Sequence, residues 1–243
     1  MRLYRHFLDG IPWYLARHYW WAYLWPMAVW FFDHQPIINA ILFGQYNRLM
    51  TTALTRLEHA PGKRVLQLTC VYGALTPRLL EMLSPRALHL ADVAPVQLKK
   101  AQSKVPASTI LYPSRMNAEQ LGYRDNAFST VVLFFLLHEM PPEARENTLS
   151  ECMRVISPGG SLLLTEYAPL PSAHWLYRFS PARWLLTRLE PFLGGFWEDD
   201  LLSLLGRLGA DHGKEVRIAS ETLIFSGFYR VTEFRISSTG TST

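Results

Sequence analysis

Cysteine is nearly absent from the 243-residue chain: Cys70 and Cys152 are the only two. Two thiols build neither a disulfide framework nor a four-cysteine zinc site, and they fit a reducing compartment. Lysine is also scarce, and basic residues never gather into a block. The 24 basic and 20 acidic residues give +4 spread along the chain, which is little ground for a nucleic-acid partner. The preference for arginine reads either as composition bias or as a taste for phosphates and anionic headgroups. Long apolar runs are missing too. The uncharged stretches His18 to Phe32 and His34 to Asn47 are interrupted by Asp33, Pro26 and Pro36, and both fall short of the roughly 18 to 20 residues of a spanning helix. A secretory signal needs an aliphatic block and a small-residue cleavage site, whereas this segment is bulky and aromatic.

What the chain does have is apolar mass. At 49% apolar and 18% charged residues, it reads as globular, with disorder confined to a tail over 237–243. Its length suits one α/β domain with extensions. Five of the eight tryptophans lie between Trp13 and Trp30, beside Tyr14, Tyr19, Tyr23, Phe31 and Phe32. Trp and Tyr carry an apolar ring and a polar tip and settle at lipid headgroup boundaries, where Arg17 can pair with phosphate. The segment 1–60 therefore reads as an aromatic helical cap, a peripheral membrane contact, or both. A second stretch, Ser172 to Trp197, alternates Trp175, Phe179 and Trp184 with Arg178, Arg183 and Arg188. Pro181 and Pro191 divide it into short helices, and an insertion over 168–197 reads as a lid.

From Lys63 the pattern becomes regular. The runs RVLQL, ALHLA, TILYP, STVVLFF and GSLLLTE alternate with helical spacing over Leu75 to Leu83, Val96 to Lys104 and Pro142 to Ile156. Alternation of this kind predicts a parallel sheet wound with helices. Glu215 to Phe225 and Phe228 to Ile236 read as a hairpin around Ser226 and Gly227, so one closing strand is antiparallel. Ligands in such sheets sit at the carboxyl ends of the strands, and the residues that follow each strand are the candidates.

Those residues form four blocks: VLQLTCVYGALTPRLL, HLADVAPVQLKKAQ, RMNAEQLGYRDNAFSTVVLFFLLHEMP and ECMRVISPGGSLLLTEY. In order and spacing they resemble the class I S-adenosylmethionine-dependent methyltransferases, above all the quinone methyltransferase branch. The resemblance implies a Rossmann-like α/β fold over 61–236, with a mostly parallel seven-stranded sheet, an antiparallel C-terminal hairpin and the N-terminal aromatic cap. It also implies cofactor contacts at Gln67, Thr69, Val71, Gly73, Asp92, Val93, Asn117, Ala118 and Phe134, with Asp92 on the ribose hydroxyls. The acid and two of the three glycines usual after the first strand are replaced here by Gln67, Thr69 and Val71, and such a turn must reshape or narrow the pocket.

LQLTCVYGALTP, DVAP, FFLLHEMP and FFDHQPIINAILFGQYNRL resemble, more narrowly, the methyltransferase-like family of rhodoquinone biosynthesis proteins. That resemblance implies conversion of ubiquinone in the membrane to rhodoquinone, a ring methoxy group giving way to an amino group. S-adenosylmethionine is then the amino donor and Mn2+ assists, in a cytoplasmic protein held peripherally at the inner membrane. Amino transfer needs an unprotonated amine, so the neutral Gln67 is expected to weaken the hold on the ammonium form. Tyr72 is a candidate for shaping the reaction geometry against methionine or quinone. His138 and Glu139, directly after the fourth strand, are candidates for proton shuttling or metal binding. Spacing locates no metal site and offers only scattered donors such as Glu139, Glu166, Asp33 and His34. The alternatives are an ordinary quinone or lipid methyltransferase and a non-catalytic assembly factor.

Overall fold

A computed structural model describes residues 10–58, 64–84, 86–169 and 174–240. Seven strands form one sheet: β1 (Val65–Leu68), β2 (Leu88–Asp92), β3 (Leu111–Arg115), β4 (Phe128–Phe134), β5 (Ile156–Tyr167), β6 (Lys214–Ile224) and β7 (Tyr229–Ser238). They lie in the order β3-β2-β1-β4-β5-β7-β6. Strands β1 to β5 are parallel, and β7 runs antiparallel to both β5 and β6. This is the Rossmann-like class I methyltransferase fold.

The central strands are apolar on both faces because helices cover both. All four residues of β1 are buried, as are six of the seven in β4, as expected of a doubly covered parallel sheet. Strand β3 is half-exposed and carries Pro113, a residue an edge strand tolerates because its outer side needs no ladder donor. The Pro-Gly-Gly segment is a bulge within β5 rather than a free turn: pairing with β4 shifts register between Phe128 and Thr130. A Cβ on Gly160 would stand 2.6 Å from the Ser129 carbonyl oxygen, so the close strand approach requires glycine there.

Eleven helices are described: α1 (Trp20–Tyr23), α2 (Pro26–Phe32), α3 (Gln35–Ile41), α4 (Tyr46–Glu58), α5 (Leu75–Leu83), α6 (Pro95–Ser103), α7 (Pro142–Val155), α8 (Trp175–Arg178), α9 (Ser180–Leu189), α10 (Leu193–Glu198) and α11 (Leu201–Asp211). A π-helical turn over Leu15–Tyr19 leads into α1. Helix α4, within the segment read as the cap, buries Tyr46, Leu49, Met50, Ala53 and Leu57 in the main core. Ser237 and Ser238 belong to β7, and Thr239 bonds Gly213, so the tail starts later than 237. The lid insertion holds α8, α9 and α10; Pro181 lies in the first turn of α9, where its missing N–H costs nothing. Positions 170–173 of that insertion, like 1–9, 59–63, 85 and 241–243, lie outside the described residues.

Candidate active site

Strand order reverses between β1 and β4, and side chains beyond the carboxyl ends of these strands and β2 surround two adjoining cavities. The first, about 620 Å³ counting its mouth, is lined by Thr69, Cys70, Asp92, Val93, Asn117 and Ala118, among others. Asp92 closes it from β2. Its carboxylate accepts from the Cys70 and Ala94 amides, each at 2.8 Å. Burial pushes its pKa up from 3.8 to about 6, with those two N–H groups pulling the other way. The cap roofs this cavity with Pro12, Tyr14 and Leu15, and Tyr14 donates to Glu119 at 3.2 Å, beside Asn117.

The second cavity, about 580 Å³ measured likewise, combines aliphatic and aromatic walls with His138, Glu139 and Glu190. Ile38, Ile41 and Leu42 from the cap face Val71, Tyr72, Phe134 and Tyr167 across it. Tyr23, Cys70, Phe135 and Glu139 line both cavities. Phe135, directly after β4, has φ +55°, an uncommon conformation for a bulky residue, of the kind that gathers at functional sites.

The residues chosen from sequence thus divide. Thr69, Asp92, Val93, Asn117 and Ala118 face the first cavity, whereas Val71, Tyr72 and Phe134 face the second. Gln67 and Gly73 line neither. Gln67 is fully buried, donating to the Thr69 carbonyl at 2.8 Å and accepting from Thr76 at 3.0 Å, so it braces the turn instead of meeting a ligand. Gly73 donates to Asp33 at 3.0 Å, and a Cβ there would meet the Tyr46 hydroxyl at 2.7 Å. That hydroxyl also accepts from Ala74 and Leu75 at the start of α5. Cap and α4 side chains therefore occupy the amides that a glycine-rich turn leaves open to a ligand, which is why Thr69 and Val71 are accommodated.

Asp33 and His34 are engaged elsewhere. Asp33 pairs with Lys104 at 2.6 Å and Lys100 at 3.3 Å, and His34 is exposed with Nδ1 2.8 Å from the Trp30 carbonyl. His138 and Glu139 do come together, on a 3₁₀ turn after β4, with two further carboxylates. Glu166 from β5 is fully buried; it accepts from the Leu137 amide at 2.7 Å and contacts His138 Nδ1 at 2.8 Å. Glu190, after α9, stands 3.9 Å from His138 Nε2, and Glu139 stands 4.0 Å from it. Tyr19 donates to Glu190 at 2.9 Å and Tyr23 donates to Glu139. Burial disfavours a charged His138, yet Glu166, Glu190 and Glu139 outweigh it and push its pKa up to about 9. Burial lifts Glu139 to about 8 against the pull of His138, and raises Glu190 as well. One imidazole nitrogen and two carboxylates so disposed can hold a divalent ion.

Sequence reasoning missed Glu190, Tyr19 and Tyr23. A signal for Glu190 was available, since it is the sole acid between Ser172 and Trp197.

Comparison with known proteins agrees with this fold. Residues 65–160 match the family model described as a methyltransferase domain. A demethylmenaquinone methyltransferase of Lactiplantibacillus plantarum is 29% identical over 164 residues, 64% of this chain and 65% of that protein. An uncharacterized methyltransferase of Synechocystis is 29% identical over 78% of this chain and 84% of its own length. A ubiquinone/menaquinone biosynthesis C-methyltransferase of Cupriavidus taiwanensis is 26% identical over 63% of this chain and 65% of its own. The first and third matches thus span a little under two thirds of those relatives. Among solved structures, the N-methyltransferase NodS of Bradyrhizobium japonicum superposes with a TM-score of 0.55 at 12% identity, over 80% of this chain and 99% of that one. The [4+2]-cyclase SpnF superposes with a TM-score of 0.53 at 16% identity, over 96% of this chain and all of that one. Likeness at that identity establishes the fold and leaves the chemistry to the site.

Proposed function

From a methyltransferase domain on a class I fold, we propose an enzyme that joins S-adenosylmethionine to a lipid quinone. More narrowly, we propose that it converts ubiquinone to rhodoquinone. One observation carries this reading: Tyr23, Cys70, Phe135 and Glu139 are shared by two adjoining cavities, one closed by Asp92 and open to a nucleoside, the other walled by Val71, Tyr72, Phe134 and Tyr167 with His138 and Glu190 beside them and open to a ring. The exchange forms a bond from the donor's amino nitrogen to the ring carbon and breaks that carbon's bond to methoxy oxygen. Methanol leaves with the proton the amine gives up; the quinone oxygens then take the N–H and Cα–H hydrogens with two electrons, and water hydrolyses the resulting imine, so that the nitrogen stays on an aminoquinol and the donor's carbon skeleton leaves as a 2-oxo acid. Asp92 would hold the ribose hydroxyls and Tyr72 would set the ring's pose. Gln67 acts only through the turn it braces, so the neutral position next to a donor amine is not its own. Mn2+ fits the His138, Glu139 and Glu190 donor set, where it would polarise a quinone carbonyl as a Lewis acid.

Product mass tests this reading. Ubiquinone incubated with S-adenosylmethionine labelled with nitrogen-15 in its amino group is expected to give quinone carrying the label and lacking one methoxy group. The relatives' names favour C-methylation as the second reading, and a product heavier by one methyl group would establish that instead. Absence of any cofactor binding by calorimetry would leave a non-catalytic assembly factor.

The acceptor is insoluble in water, and we propose that the cap and lid meet it at a bilayer surface. Trp20, Trp25, Trp30, Trp175 and Trp184 are each more than half exposed. The exposed ionic side chains of the described parts of 10–48 and 174–192 are all arginine: Arg17, Arg48, Arg178, Arg183 and Arg188. No described helix is long and apolar enough to cross a membrane, so the contact would be peripheral. Flotation with phosphatidylglycerol vesicles should weaken about tenfold or more in a Trp25→Ala/Trp184→Ala variant, and unchanged flotation would defeat the idea.

A further inference from the structure

Glu139, Glu166 and Glu190 crowd around His138, and among the described residues the ion pairs of these carboxylates run to that imidazole alone. Were the carboxylates ionised, even an imidazolium would leave two negative charges unmatched. Their side chains are 12%, 0% and 23% exposed, and charges so deep in a protein require a counter-charge.

The three ligating atoms stand too far apart for hydrogen bonds and only a little wider than the ligands of one ion. His138 Nε2 lies 4.0 Å from Glu139 Oε1 and 3.9 Å from Glu190 Oε2, and the three ligating atoms all fall within 4.8 Å of one another. Two atoms each about 2.1 Å from a common divalent ion stand at most about 4.2 Å apart, so small side-chain rotations close the set. The surroundings are those of a built site. Glu166 is an acceptor when ionised, which makes Nδ1 the protonated nitrogen of His138 and leaves the Nε2 lone pair toward the two other carboxylates. Tyr23 and Tyr19 then orient Glu139 and Glu190, the arrangement by which outer partners fix metal ligands.

We propose that His138 Nε2, Glu139 and Glu190 form a divalent-cation site, with Glu166, Tyr19 and Tyr23 as positioning residues. One nitrogen and two oxygen donors suit Mn2+, Mg2+ or Zn2+ rather than a soft ion. His138 and Glu139 belong to the sheet's turn, Glu190 to the lid, and the two tyrosines to the cap. The ion therefore ties all three segments together. What the ion does to a quinone rests on the function proposed above, but its binding does not.

The test uses the full chain, stripped with chelator and titrated with MnCl2 while the free-ion electron paramagnetic resonance signal is followed. One Mn2+ per chain is expected, and saturating Mn2+ should raise the melting temperature by binding the folded state. Glu190→Gln and His138→Ala should weaken binding at least about 100-fold and abolish that rise, and Glu166→Gln should weaken it about 10- to 100-fold. S-adenosylmethionine binding to each variant, measured in the absence of metal, reports that the fold is intact. Tight Mn2+ binding that survives Glu190→Gln and His138→Ala overturns the assignment. So does wild-type protein that binds no Mn2+, Mg2+ or Zn2+, or Mn2+ that S-adenosylmethionine displaces competitively, which would give the cluster to the donor's ammonium group. Metal bound as assigned without any aminated product would instead count against the amination reading and leave the site standing.

Discussion

Asp199→Ala is expected to cost about 3 to 5 kcal/mol of folding stability, the penalty for stranding a buried charge. The charge is Arg145, 0% exposed on α7 and paired with Asp199. Its Nε donates to the Leu137 carbonyl at 3.1 Å, an Nη donates to the Met140 carbonyl at 3.0 Å, and its guanidinium lies 5.1 Å from the Phe196 ring centre. Arg145 therefore fastens both ends of the turn that carries His138 and Glu139 to the segment after α10. Urea unfolding should show Arg145→Met/Asp199→Ala to be more stable than Asp199→Ala alone, because the double variant buries no unmatched charge. The double variant should nevertheless bind metal more weakly than wild type, since the two turn carbonyls have lost their donor. Equal stability of the single and double variants would mean that Arg145 is balanced by carbonyls and the Phe196 ring without its carboxylate.

That clamp shows where the sequence was readable and where it was not. The helix over Leu75–Leu83 was legible to the residue, and the closing hairpin nearly so, because apolar periodicity reports burial along one element. Asp92, Asn117 and Ala118, singled out by the family resemblance, lie at the carboxyl end of β2 and just after β3 and line the first cavity. Glu190 meets His138 across 52 positions, and no local period encodes such a meeting. Gln67, expected beside the ligand from the family resemblance, turns its amide back onto Thr69 and Thr76, a pairing no local pattern encodes. A compositional clue did exist for the long-range anchors. Asp33 is the lone acid between Gly10 and Leu57, and Glu190 the lone acid between Ser172 and Trp197. Both prove to be inward anchors, Asp33 onto Lys104 and Gly73 and Glu190 onto Tyr19 and beside His138. A solitary carboxylate kept in an apolar stretch is a costly residue to bury, and here each has a specific partner.

The same cost predicts two opposite pH dependences at Asp92. Its pKa is raised from 3.8 to about 6, so the folded state binds the proton more tightly than the unfolded chain does. The ionised form therefore destabilises the ligand-free protein: the penalty is absent below pH 3.8, develops as pH rises toward 6, and amounts to about 3 kcal/mol above it. Affinity for S-adenosylmethionine should move the other way, since an ionised carboxylate is the stronger acceptor for ribose hydroxyls, each such bond being worth about 1.5 to 3 kcal/mol. Calorimetric titration should show the dissociation constant rising as pH falls through about 6. Asp92→Asn should flatten that profile and weaken binding about tenfold or more at pH 7.5, while removing the matching slope from ligand-free stability. A pH-independent dissociation constant in wild type, with the Asn variant binding equally well, would show that the backbone amides of Cys70 and Ala94 already satisfy both oxygens and that the first cavity holds its ligand by other groups.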